Sequence, residues 1–165
     1  MDDPVVVRIA EFYAGRGNGR VKTYALGSCV AIVLYDPEKH VGAISHTMLP
    51  EPQIAPALGV SSKIPAKYVD SAIPAMLQEM RKLGASPSRI VAKLVGGGRM
   101  FPGIPSSETT NIGERNVERA RCALASLTIP IVAEDTGGSH GRSVVFNLSD
   151  GSVVVSSLKV GEQTL

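Results

Sequence analysis

No stretch of this sequence approaches the roughly 18 consecutive apolar residues that a membrane-crossing helix needs. The opening Met1-Asp2-Asp3-Pro4 has neither the basic start nor the apolar run of a secretion signal. A cytoplasmic protein is therefore expected. Charge of one sign is also missing. Seventeen basic residues face fifteen acidic ones, a net of +2, which is too little to argue for nucleic acid or an anionic membrane surface as partner. With only two cysteines and three histidines, all scattered, no metal-ligand spacing can be assembled. Neither a metal nor another cofactor is expected, and in a cytosolic setting Cys29 and Cys122 should stay free thiols. Repeats and low-complexity tracts are absent too. What remains, 44% hydrophobic and 19% charged, is the composition of one globular domain over residues 1–165, long enough to bury about 70% of its unfolded surface.

Periodicity supplies the elements. Val5 to Ile9 reads as a first strand, followed by Gly15-Arg16-Gly17-Asn18-Gly19, too glycine-rich for regular structure. Val21–Leu26, Val30–Tyr35 and Val41–Met48 are consecutive β-branched runs joined by short turns, which predicts an antiparallel meander. Leu49 to Pro65 carries four prolines and reads as a surface loop. Tyr68–Leu83 and Asn111–Leu127 repeat apolar residues at helical spacing, the first closed by Gly84 and interrupted by Pro74, the second opened by Asn111 as N-cap. Strands are also expected at Ile90–Val95, Ile131–Ala133, Ser143–Asn147 and Val153–Leu158. Gly96-Gly97-Gly98 lacks the lysine and serine or threonine of a phosphate loop, so close backbone packing or a substrate groove fits it better. The mixed charges Glu114, Arg115, Glu118, Arg119 and Arg121 read as a solvated helix face. The sum is an α/β layered sandwich of largely antiparallel sheet with two main helices.

Cys29 stands where the turn Leu26-Gly27-Ser28 feeds a buried strand, and His46 lies on the next strand across the turn Asp36-Pro37-Glu38-Lys39. If those four residues are the loop, Tyr35 opposes His40 and Cys29 opposes His46, with Cβ atoms about 4.5–5.5 Å apart. An imidazole at that range can take the thiol proton, and in its charged form it would lower the thiol pKa. A slip of one residue would send the two side chains to opposite faces. A cysteine at the start of a buried strand is inert packing in most proteins, and Cys122, among Ala120, Ala123 and Leu124, is expected to be a small core residue. His40 and His140 are expected to face solvent.

Blocks of sequence in order resemble the CheD family, chemoreceptor glutamine deamidases of bacterial and archaeal chemotaxis. They are Leu26-Gly27-Ser28-Cys29-Val30; Gly42 to His46 with Met48-Leu49-Pro50; Lys67-Tyr68 with Asp70 and Ala72; Gly96-Gly97 with Met100-Phe101; Asn111-Ile112-Gly113 with Arg115-Asn116-Val117; and Glu134 to Gly138 with Arg142-Ser143-Val144. The resemblance implies a fold similar to the catalytic domain of cytotoxic necrotizing factor, and conversion of selected glutamines of methyl-accepting chemotaxis receptors to glutamate with release of ammonia. It also implies Cys29 as nucleophile, His46 as proton carrier and Thr23, six positions before the cysteine, as third member. Thr23 would orient the imidazole, and the amides of Gly27, Ser28 and Cys29, at the turn, are the nearest candidates to receive the oxyanion of the bound substrate. A CheC phosphatase is implied as a possible partner. Two departures stand out: Ala10-Glu11 where members often have Gly-Glu, and Arg99 where they have a small or uncharged polar residue. Two other readings compete with an enzyme, a purely binding role and a redox-active thiol at Cys29.

Overall fold

The computed structural model describes residues 3–52, 64–101, 103 and 111–165. Ten strands form two five-stranded sheets. The first has the order β1 (Val5–Val6), β3 (Arg20–Leu26), β8 (Arg142–Asn147), β9 (Val153–Ser157), β10 (Gly161–Thr164). The second has β2 (Phe12–Arg16), β5 (Val41–Thr47), β4 (Val30–Asp36), β6 (Val91–Gly96), β7 (Ile131–Thr136). Pairing is antiparallel except at β1 with β3 and at β6 with β7. The expected α/β layering with two main helices, α1 (Val69–Lys82) and α2 (Ile112–Ser126), is what is found.

The layers explain the long apolar runs. Val30, Ile32 and Leu34 of β4 pack with Met76, Met80 and Leu124 of the helices. The alternate residues Ala31, Val33 and Tyr35 pack with Val144, Phe146 and Val155 of the first sheet. A strand covered on both faces has no position left for a polar side chain to reach water, so alternation disappears from its sequence. All seven residues of β4 and all seven of β5 are buried.

Three expectations need correction. The meander does not form. β3 leaves β4 for the other sheet, pairing with β8 and β1, because the turn at Gly27–Ser28 is a crossing between layers rather than a hairpin. Gly15 and Arg16 belong to a strand, β2, in which a Cβ at Gly15 would crowd the Tyr13 ring and Leu148. Cys122 is exposed rather than in the core, since α2 buries the stripe Asn116, Ala120 and Leu124 and turns position 122 outward. The charged residues on α2 are exposed, as read, but three reach off the helix: Arg119 grips Asp70 of α1 at 2.6 and 3.0 Å, Arg121 meets Glu134 at 3.0 Å, and Arg115 meets Glu51 at 3.7 Å. His40 is exposed and His140 half-buried. Residues 53–63 of the proline-rich loop lie outside the described residues.

Pro74 sits within α1, which continues through it. The helix closes at Gly84, where φ is +100° and the amide of Ala85 reaches back to the Met80 carbonyl at 3.0 Å, the doubled-back closure that glycine permits.

The β4–β5 hairpin is set by Asp36. Its carboxylate accepts from the amides of Glu38 and Lys39, from the Ser86 amide at 2.9 Å and from Arg89 through Nε and Nη2. Burial alone would raise this carboxyl, but Arg89 and those amides together hold it at about 2. Asp36 thereby stays in the strand, opposite Val41, and the loop becomes Pro37–His40. Replacing Asp36 with Ala should cost about 2–4 kcal/mol in urea unfolding, because five donors lose a fully buried acceptor. A loss below about 1 kcal/mol would show that the carboxylate does not hold the turn.

Candidate active site

With the loop displaced by one residue, the register moves by two. His46 opposes Ala31, and Val30 opposes Thr47. The expected direct opposition of Cys29 and His46 is therefore replaced by a diagonal one. A slip of two keeps the side-chain parity: Cys29 packs with Ala31 and Val33 in the inter-sheet cluster, on the side where Thr23 of the first sheet meets His46 of the second. Diagonal neighbours remain within reach of a side chain the length of histidine.

His46 is almost wholly buried, 1% exposed, and Thr23 is at 0%. The Thr23 hydroxyl lies 2.8 Å from the Val7 carbonyl and 2.7 Å from His46 Nδ1. A carbonyl can only accept, so the threonine proton goes to Val7, and the hydroxyl oxygen accepts from Nδ1–H. That fixes the tautomer and leaves Nε2 as a bare lone pair, and Nε2 is buried with no hydrogen-bond partner. The backbone of His46 is clamped as well, its amide donating to Glu11 at 3.0 Å and its carbonyl accepting from Ala10 at 2.8 Å. Ala10 makes that contact at φ +63°, a region alanine enters at a cost of about 1 kcal/mol. This is the position at which the family resemblance sets the expectation of glycine.

Cys29 is half-buried. Burial pushes its thiol up, against a smaller lowering by its own backbone amide, and burial pushes the His46 imidazole down to about 4. The resting pair is thus thiol and neutral imidazole. The expected lowering of the thiol by an imidazolium is absent from this state.

The turn before Cys29 is held by its carbonyls. Gly98 N donates to Gly27 at 2.8 Å, Asn116 Nδ2 to Ser28 at 3.0 Å, and Gly97 N to Cys29 at 2.8 Å. Apart from the contact of the Cys29 amide with its own thiol, no acceptor for the amides of Gly27, Ser28 or Cys29 is found among the described residues. The glycine triplet is the close backbone packing that the sequence suggested. At Gly96, with φ +113°, a Cβ would be driven into the Cys29 carbonyl, and one at Gly113 of α2 would strike the carbonyls of Gly97 and Gly98. Beside it, Gly97, Gly98, Arg99, Glu118, Arg121 and Thr136 line an open cavity of about 480 Å³. None of Thr23, Cys29 and His46 lines it. Among the described residues no group of three or more metal-ligating side chains comes together.

Asn116 carries a contact that residue-by-residue reading missed. Its sequence signal is a carboxamide on the buried stripe of α2, one turn after Ile112 and one before Ala120, where a polar group must find partners.

Comparison with known proteins bears on the whole chain. The family model described as CheD chemotactic sensory transduction matches residues 48–157, beginning just past His46. A probable chemoreceptor glutamine deamidase CheD of Pyrococcus horikoshii is 46% identical over 158 residues, 96% of this chain and 94% of the relative. The chemoreceptor glutamine deamidase CheD of Thermotoga maritima is 39% identical over the same shares. A probable chemoreceptor glutamine deamidase CheD 2 of Geobacter metallireducens is 47% identical over 137 residues, 83% of each chain. With 39–47% of aligned residues shared with these relatives over 83–96% of its length, the chain belongs to the CheD family.

Proposed function

We propose that this protein hydrolyses the side-chain amide of chemoreceptor glutamines to glutamate and ammonia, with Cys29 as nucleophile, His46 as proton carrier and Thr23 as its orienting partner. The observation that carries this reading is the buried Nε2 of His46, an unpaired base whose ring is locked from behind by Thr23. The names of the relatives supply the substrate class.

The chemistry then runs as two acyl transfers. As the Cys29 sulfur bonds to the amide carbon, its proton passes to Nε2, and the carbonyl oxygen becomes an oxyanion received by the free amides of the 27–29 turn. The carbon–nitrogen bond breaks as Nε2 returns the proton to the nitrogen, ammonia leaves and a thioester remains. Water gives a proton to Nε2 and attacks the thioester carbon. Expulsion of the sulfur, which recovers the proton, yields glutamate. Substrate and water supply every atom, so no cofactor is needed. Because thiol and imidazole are both neutral at rest, proton transfer accompanies attack rather than preceding it.

The likeness to the catalytic domain of cytotoxic necrotizing factor belongs to this reading, as a layered sheet-and-helix frame carrying the same reaction. Stimulation of a CheC phosphatase, if it occurs, would use a docking surface and survive loss of the thiol.

Cys29→Ala should release no ammonia from receptor cytoplasmic fragments, and mass spectrometry should show no gain of about one dalton at glutamine; turnover equal to the parent ends the assignment. Thr23→Val should lower kcat about 10- to 100-fold with little change in KM, by freeing the ring to turn, and Thr23→Ser should restore most of it. An unchanged kcat in Thr23→Val would remove threonine from the site.

The buried imidazole also has a signature in stability. The unfolded chain binds a proton at His46 near the ordinary histidine pKa of about 6.5, whereas the folded chain holds it neutral down to about 4. Stability from this group is full above pH 6.5 and is lost as pH falls toward 4. Urea unfolding of His46→Gln should therefore depend less steeply on pH across that window than the parent's. Parallel curves would mean the ring is not held neutral.

A further inference from the structure

The turn that presents Cys29 and the strand that ends after His46 leave the second sheet side by side, and one side chain holds both. Asn116, fully buried on α2, sends its Nδ2 to the Ser28 carbonyl at 3.0 Å and to the Met48 carbonyl at 2.9 Å. Two carbonyls facing one end of a carboxamide settle which end it is, because only the nitrogen donates, and its two N–H groups match the two acceptors. The oxygen Oδ1 is buried without a partner, so the side chain is kept for its donors.

We infer that Asn116 is a positioning residue for amide hydrolysis. It staples residue 28, one before the nucleophile, to residue 48, two after the base. With Gly97 and Gly98 it completes a row of donors on the carbonyl side of residues 27–29. A peptide plane whose carbonyl is pinned has its amide direction fixed, so the staple at the Ser28 carbonyl sets where the Cys29 amide points, as Gly98 at the Gly27 carbonyl does for the Ser28 amide. α2 does this through one turn of helix, since Gly113, which presses against Gly97 and Gly98, lies three residues before Asn116. The inference rests on the deamidase reading and adds a residue to it that does not touch the reacting atoms.

The test compares two reactions of the same sulfur. Deamidation passes through an oxyanion, whereas alkylation by iodoacetamide does not build one. Asn116→Asp keeps the shape and discards both donors. Its kcat on receptor fragments should fall about 10- to 100-fold with KM within about threefold, while the alkylation rate of Cys29 across pH stays within about threefold of the parent. If Asn116→Asp shows no cooperative melting, Asn116→Ser, which retains one donor, is read by the same two rates and should lose less. A folded variant with kcat within about threefold of the parent overturns the inference, and so does a fall in alkylation that matches the fall in kcat. A parent inactive on receptors overturns both this and the proposed function; an active parent with an equally active variant overturns this alone.

Discussion

The hydrogen bond from His46 Nδ1 to the Thr23 hydroxyl joins the two sheets at the point where chemistry is proposed, and the rest of the site depends on it. Its partners come from different layers, Thr23 from β3 and His46 from β5. The imidazole therefore keeps its tautomer only while the inter-sheet core keeps the layers in register. That core is built from the odd-numbered residues of β4 with Val144, Phe146 and Val155. Its packing and the site's geometry are one quantity, because interiors at crystal-like density do not permit one layer to slide against another without loss of contact. The Val7 carbonyl adds the final constraint by consuming the threonine proton.

A second constraint acts from the other face of the same sheet. α2 touches the cysteine turn through backbone and carboxamide, not through a charged group. Glycines at 96, 97 and 113 permit main chain to meet main chain there. Such contacts are short and stiff, which suits a turn proposed to present amides beside the nucleophile. Arg99 stands at the rim of the open cavity beside this region.

Much of this was legible in the sequence, for identifiable reasons. Helices α1 and α2 were readable because each buries one stripe and ends at a recognisable boundary. The shared face expected for Cys29 and His46, though not their direct opposition, survived an error in the turn because Asp36 displaced the loop by one residue on each strand, and two residues restore the face that one would have reversed. Topology was less readable. A short turn between apolar runs predicts a hairpin, but Gly27–Ser28 crosses between layers, and local sequence does not distinguish the two. Cys122 illustrates the limit of composition: its small apolar neighbours suggested a core, while helical phase turned it to solvent. Ala10 was legible only as a departure from the family's Gly-Glu pair, and the backbone alone reveals it as a left-handed residue holding the His46 carbonyl.

Burial and reactivity oppose each other at this site, and their balance accounts for its form. Removing Cys29 and His46 from water disfavours both charged forms, raising the thiol and lowering the imidazole, so an ion pair prepared in advance would be expensive here. The same exclusion of water strengthens any charge stabilisation that arises when substrate is bound. A site arranged this way gains little from a resting thiolate and much from fixed dipoles: amides without acceptors at the turn, and an imidazole unable to rotate. Each polar contact described around the pair serves one of those two ends. Thr23 and the 10–11 backbone immobilise the ring, while Gly97, Gly98 and Asn116 immobilise the turn. The acidic and basic side chains, by contrast, are spent elsewhere, Asp36 with Arg89 on the hairpin and Asp70 with Arg119 between the helices. A thiol kept neutral is also slow to oxidise, which makes the redox reading of Cys29 a poorer match to these surroundings than acyl transfer.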